Sequence, residues 1–264
     1  MTPPRFEGAE AVVALILLEW AVGLVGGAAW SQSWSVVRRG HFRIVAWSAL
    51  VLAALAAAAA YAASTSPAAS QRTMVLLVCV GCALFVAAQY VRSDVVGTVV
   101  GYATVVAGLG AFWTIAELLD GWSQLPAALL IASGAVLLGA VTNGMLLGHW
   151  YLNQPGLKPW ALQRTTTLGI GATAVSGIGG VAATDRLSSA STEGAALPGF
   201  GDSFGVFFYI VWLLLVVFTG IVVWAARRCV KIRSIQSATG LYYVALLSAG
   251  VAEFLVRYLM VNAS

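Results

Sequence analysis

The chain has 264 residues, of which 60% are hydrophobic and 9% charged, with a mean hydropathy of +0.90. A water-soluble domain usually carries about a quarter charged residues, so fourteen basic and ten acidic side chains cannot cover a fold of this size, and lipid must replace water around most of it. The net charge of +4 does not signal nucleic acid, because the basic residues fall in short clusters between apolar runs, as the positive-inside rule produces.

The N-terminal stretch MTPPRFEGAE has one Arg and two Glu before the first apolar run. A secretory leader wants a basic start, so this run reads as a retained first helix. Runs long enough to cross about 30 Å of hydrocarbon occur at roughly 11–30, 43–63, 74–91, 96–118, 126–148, 166–184, 204–226 and 239–261. The expected fold is therefore all-α: one transmembrane domain over 1–264, a polytopic membrane helix bundle of about eight transmembrane helices.

Glu19 stands in LILLEWAVG, near the middle of the first span. A carboxylate at that depth must face the protein interior, find a partner or hold a proton, which makes it a candidate proton site or a packing group. The basic loop that follows, WSVVRRGHFR, carries Arg38, Arg39, His41 and Arg43. His41 and His149 are the two histidines, and neither sits where a transmembrane haem ligand would; no cluster has zinc spacing, so no metal site is expected. Cys79 and Cys82 form C-V-G-C in the third span, flanked by apolar residues that disfavour a thiolate, and read as small packing residues. Cys229 is the third cysteine, and no disulfide framework is implied.

Residues 142–160, TNGMLLGHWYLNQPGLKPW, hold the densest set of polar and aromatic groups. Asn143, His149, Trp150 and Tyr151 are candidate cofactor contacts, since an imidazole, an indole, a phenol and amides can hold a quinone head group, a lipid or a pigment at the membrane surface; a plain aromatic belt explains the same residues. The sixth span, TTTLGIGATAVSGIGGVAAT, is the weakest by hydropathy, and its Gly spacing favours close packing between neighbours. After it comes the longest polar connection, 185–203, a candidate lid or partner contact. In the last span Glu253 and Arg257 stand four apart and are expected to form a structural ion pair, with Arg257 reaching the membrane surface and Glu117 a possible third member.

Ten of the fourteen basic residues follow spans one, three, five and seven, which assigns those connections to the cytoplasm and both termini to the outside. TVVAGLGAFW in span four can be laid on LLSAGVAEFL in span eight, so the chain is a candidate for a 4+4 parallel repeat with its axis along the membrane normal. No phosphate loop, nucleophile elbow or zincin motif is present. The expected function is a non-catalytic integral membrane subunit of a larger bacterial membrane complex, energy-converting or electron-transferring in kind and contributing helix, lipid or quinone contacts, in the bacterial cytoplasmic (inner) membrane. Its expected partners are the lipid bilayer and other membrane subunits. The alternative is a proton-coupled small-molecule transporter using Glu19.

Overall fold

A computed structural model describes residues 8–63, 69–154, 156–190 and 203–262. Among these the elements are all helical: α1 (Ala9–Gln32), α2 (Arg39–Ala63), α3 (Ala69–Ala88), α4 (Asp94–Ala116), α5 (Gln124–Asn153), α6 (Trp160–Ala182), the short α7 (Thr184–Ser188), α8 (Phe204–Lys231) and α9 (Ile235–Asn262). The larger part of the polar connection, 191–202, lies outside the described residues, as do Pro67, Pro155 and Pro198.

Seven of these helices are long and apolar enough to cross a membrane. The eighth long helix, α6, falls short in hydropathy, as its run of Thr, Ser and Gly foretells. Its 23 residues still extend about 34 Å at 1.5 Å each, and it is packed between α5 and α8. Thr165, Thr166, Gly169, Thr173, Ser176 and Gly180 of α6 are buried, while Val175, Ile178 and Val181 point outward. Its threonine hydroxyls are absorbed by its own carbonyls, Thr165 donating to Ala161 and Thr173 to Gly169, so the helix presents an apolar outer face despite its composition.

The helices outrun the apolar spans because hydropathy marks only the hydrocarbon core. In α5 the helix continues through His149, Trp150 and Tyr151 to Asn153.

Two four-helix halves make up the bundle. In the first, α1 packs on α2 and α4, and α3 packs on α2 and α4; in the second, α5 packs on α6 and α9, and α8 packs on α6 and α9. The halves meet chiefly through α1 against α5, flanked by α4 on α5 and by α9 on α1. That pattern maps onto itself when the halves are exchanged. Residues one repeat apart also meet each other. A carbon added at Gly23 would lie against the Ala135 carbonyl and the Gly139 backbone, and one added at Gly27 would strike Asn143. Trp34 packs on Trp160 at the start of α6, while its counterpart Trp150 packs against Gly40 and His41 at the start of α2.

In lipid the hydrophobic effect does not drive helices together, so this seam depends on close approach and interhelical hydrogen bonds. Trp20 Nε1 donates to Thr142 Oγ1 at 2.8 Å, Asn143 Nδ2 donates to the Leu24 carbonyl at 3.0 Å, and Gln154 bridges to the Arg38 amide and the Val36 carbonyl.

Candidate functional site

A cluster of charge sits in one of the two flanking seams, where α9 meets α1. Arg257 projects from α9 with no exposed surface, and its Nε donates to Glu19 Oε1 of α1 at 2.5 Å. Its Nη2 donates to Glu253 Oε2 at 2.8 Å, one turn back on α9, and to the Leu130 carbonyl of α5 at 2.9 Å. Its Nη1 faces the Met260 sulfur at 3.0 Å. Ser176 of α6 donates to Glu253 Oε1 at 3.2 Å. All three charged residues have 0% exposure.

Helix geometry explains the convergence. Glu253, Arg257 and Met260 fall at three- and four-residue spacing on one face of α9. Gly134 of α5 lies opposite them, and a carbon added there would come within 2.3 Å of both Arg257 Nη2 and Glu253 Oε2. The missing side chain is thus the space that the ion pair fills.

These contacts correct the sequence reading in three ways. Arg257 does not reach the membrane surface, because a carboxylate from another helix holds it in the core. The pair with Glu253 is not self-contained, since Glu19 is the third member. Glu117 is exposed at the end of α4 and plays no part in the cluster. The counterparts in the other seam are uncharged. Glu19, Glu253 and Arg257 correspond to Ala135, Ala111 and Ile115, so the cluster belongs to one half-interface only.

Two carboxylates face one guanidinium. The Glu19 atom that does not meet Arg257, Oε2, is buried without a partner. An uncompensated buried carboxylate is costly in a low-dielectric interior, so the second carboxylate is the expensive member of the cluster.

The group around His149 does not assemble into one site. Asn143 is buried, donating to Leu24 and Gly139 carbonyls, with Oδ1 unpartnered. Exposed His149 meets Tyr243 of α9, with Nε2 to hydroxyl at 3.1 Å. Trp150 Nε1 donates to Gln154 Oε1 on the face toward α2, and the Tyr151 hydroxyl donates to the Lys158 carbonyl while accepting from the Leu162 amide. The residues therefore radiate around α5 toward four neighbours, α1, α9, α2 and α6. His41, read as part of a loop, lies in the first turn of α2 and is buried beside Trp150 and Phe42.

Cys79 donates to the Ala53 carbonyl at 3.3 Å and Cys82 is fully buried, both as free thiols. No group of metal-binding side chains occurs among the described residues. Sequence reasoning missed Gly134, Ser176 and the Leu130 carbonyl in the cluster. It also missed the Gly23-x-x-x-Gly27 spacing in α1, a known mark of close helix approach.

No family model matches the chain, and neither a curated protein nor a solved structure is detectably similar to it.

Proposed function

We propose that the chain is a non-catalytic subunit of a larger membrane complex, energy-converting in kind, in a bacterial cytoplasmic membrane with both termini outside. The observation that carries this reading is how the buried polar groups are used. Arg257 spends all three guanidinium nitrogens within the protein, Gln32 and Gln89 bond each other, and Thr219 bonds Ser248. Such groups fix helices and leave little to bind a solute.

Large apolar side chains line the outward faces of α3, α4 and α8, among them Leu76, Leu84, Val99, Val106, Leu214 and Ile221; they suit docking of other helices as well as lipid. The exposed His149–Tyr243 pair, an imidazole and a phenol near the basic end, is what supports a quinone contact.

Isolation of the tagged chain from its own membranes in mild detergent tests the proposal. The expected result is a stable assembly with stoichiometric membrane partners. The unpartnered Glu19 Oε2 favours a second reading, a proton-coupled transporter. A chain that purifies alone and drives proton-dependent solute flux in proteoliposomes, lost in Glu19→Gln, would overturn the first reading and establish the second.

A further inference from the structure

The basic end of the bundle carries a groove unlike the others. It has a volume of about 940 Å³ and is lined by Trp30 of α1, Val136 of α5, a strip of α6 that includes Arg164, Thr167 and Gly171, and Arg227 of α8. Arg164 lies over the Trp160 and Trp34 rings at 4.7 and 5.6 Å. Arg227 is half-buried, and its Nε is buried without a hydrogen-bond partner. Neither guanidinium has a carboxylate partner among the described residues. Around them the basic end is poor in acid: Asp94 is engaged by Arg39 at 3.2 Å.

The groove does not end at the arginines. It shares Trp30, Val136 and Leu168 with a second, apolar crevice of about 300 Å³ that runs along α1, α4 and α5 past Gly23, Gly26, Gly27, Val105 and Leu109. The crevice has a symmetry mate in the opposite seam, where Leu247, Val251 and Phe254 stand for Val105, Leu109 and Phe112. There Trp20 occupies the place of Val136 and lines a cavity of about 400 Å³ that meets no arginine. Only one seam, therefore, joins a long apolar slot to a pair of unspent positive charges.

We propose that this groove binds one acidic phospholipid, with its phosphate on Arg164 and Arg227 and an acyl chain in the glycine-lined crevice. Arg164 stands one turn inside the start of α6, and Arg227 one turn before the end of α8, which puts both guanidiniums at headgroup depth. Basic pockets between membrane helices on the cytoplasmic side hold anionic headgroups, and two guanidiniums can present several N–H donors to phosphate oxygens. An acidic peptide would satisfy the arginines but leave the apolar slot unexplained. The inference stands whether the chain is an accessory subunit or a transporter.

The full chain in a neutral detergent, given phosphatidylglycerol or phosphatidylcholine, tests this by native mass spectrometry of retained lipid. Wild type is expected to retain phosphatidylglycerol preferentially, and each of Arg164→Gln and Arg227→Gln to weaken it about five-fold, the attraction that one basic side chain ordinarily exerts. Arg228→Gln, an equal loss of charge outside the groove, should leave retention unchanged. Gly171→Leu fills open space, since nothing lies within 4 Å of a carbon added there, and should lower retention without lowering thermal stability. Equal retention of the two lipids by wild type, or equal loss in the Arg228 control, overturns the proposal. So does an acidic protein released by the arginine variants with no lipid preference.

Discussion

Gly23 and Gly139 bring the backbones of α1 and α5 into contact: a carbon added at Gly23 would lie 1.8 Å from the Ala135 carbonyl oxygen, and one at Gly139 would lie 2.2 Å from the Gly23 carbonyl carbon. They lie at the centre of the contact between the two groups of four helices, α1 in one and α5 in the other. Because the obstacle is backbone and cannot rotate aside, Gly23→Val and Gly139→Val must push the halves apart. Each should cost at least about 1–3 kcal/mol, the usual range for overpacking. Gly250→Val, placed where nothing lies within 4 Å, should be close to neutral. Thermal unfolding in detergent distinguishes them, and equal melting temperatures for all three would contradict the seam.

The charge cluster predicts an asymmetric mutational response. Glu19→Gln keeps an acceptor for Arg257 Nε and leaves Arg257 with Glu253 as a neutral pair, so stability should change by less than about 1 kcal/mol. Glu19→Leu removes that acceptor and leaves Arg257 Nε unsatisfied, which should weaken the bundle and its assembly by about 1–3 kcal/mol. Arg257→Met removes the cation and leaves two buried carboxylates together. Breaking a buried pair from one side costs about 3–5 kcal/mol, and this variant should be the least stable of the three. A ranking with Glu19→Gln lowest would mean that Glu19 is held as an obligatory anion.

Gly134→Ala tests the same site through space alone. The added carbon meets both Arg257 Nη2 and Glu253 Oε2 at 2.3 Å, so the ion pair must shift or separate. A loss of about 1–3 kcal/mol is expected from overpacking. A double variant with Arg257→Met should lose less than the two single effects together, because the atoms that clash are then partly gone.

The helices were legible because continuous apolar runs announce themselves, and α6 was legible as the weak one for the same reason. Glu19 could be recognised as needing a partner, since a carboxylate at mid-membrane has few options. Its partner could not be identified, because Arg257 lies 238 residues away and its own helix offered the nearer Glu253. Hydropathy also placed Arg257 too near a helix end to suggest burial. The Asn143–Tyr151 set misled for a related reason: neighbours in sequence on a helix point to different sides, and α5 continues as helix through all of them. The expected repeat rested on Ala107, Gly108 and Phe112 in α4 against Ala249, Gly250 and Phe254 in α9, whereas what joins the two groups of four helices is the glycine contact in α1 and α5.

Cys79 and Cys82 should be chemically silent. Cys82 has no exposed surface, and the Cys79 thiol is turned toward the Ala53 carbonyl in an apolar helix contact. The double variant Cys79→Ala, Cys82→Ala should leave assembly and any activity nearly unchanged, and intact protein should react slowly with maleimide at these positions. A redox activity lost in the double variant would move the chain into the class of thiol-dependent membrane enzymes.

The last prediction concerns which way the bundle faces. One end gathers Arg38, Arg39 and Arg43, Arg92, Lys158 and Arg164, and Arg227, Arg228, Lys231 and Arg233. Contacts across that end tie the connections together: Arg39 reaches Asp94 and the Val91 carbonyl, Gln154 reaches the backbone of Val36 and Arg38, and Arg164 lies over Trp34. At the other end Trp122 donates to the Met260 carbonyl, and Thr184 bonds Tyr209. Basic connections remain in the cytoplasm because lysine and arginine resist translocation. A reporter inserted after Arg233 should therefore read as cytoplasmic, and one fused after Ser264 as outside. The second readout depends on α6 crossing the membrane in spite of its low hydropathy, since an odd number of crossings would put the two ends of the chain on opposite sides. A reporter in the connection 155–159 and one at 189–190 isolate that question: cytoplasmic and outside readings, respectively, are expected, and the same reading from both would show that α6 does not cross.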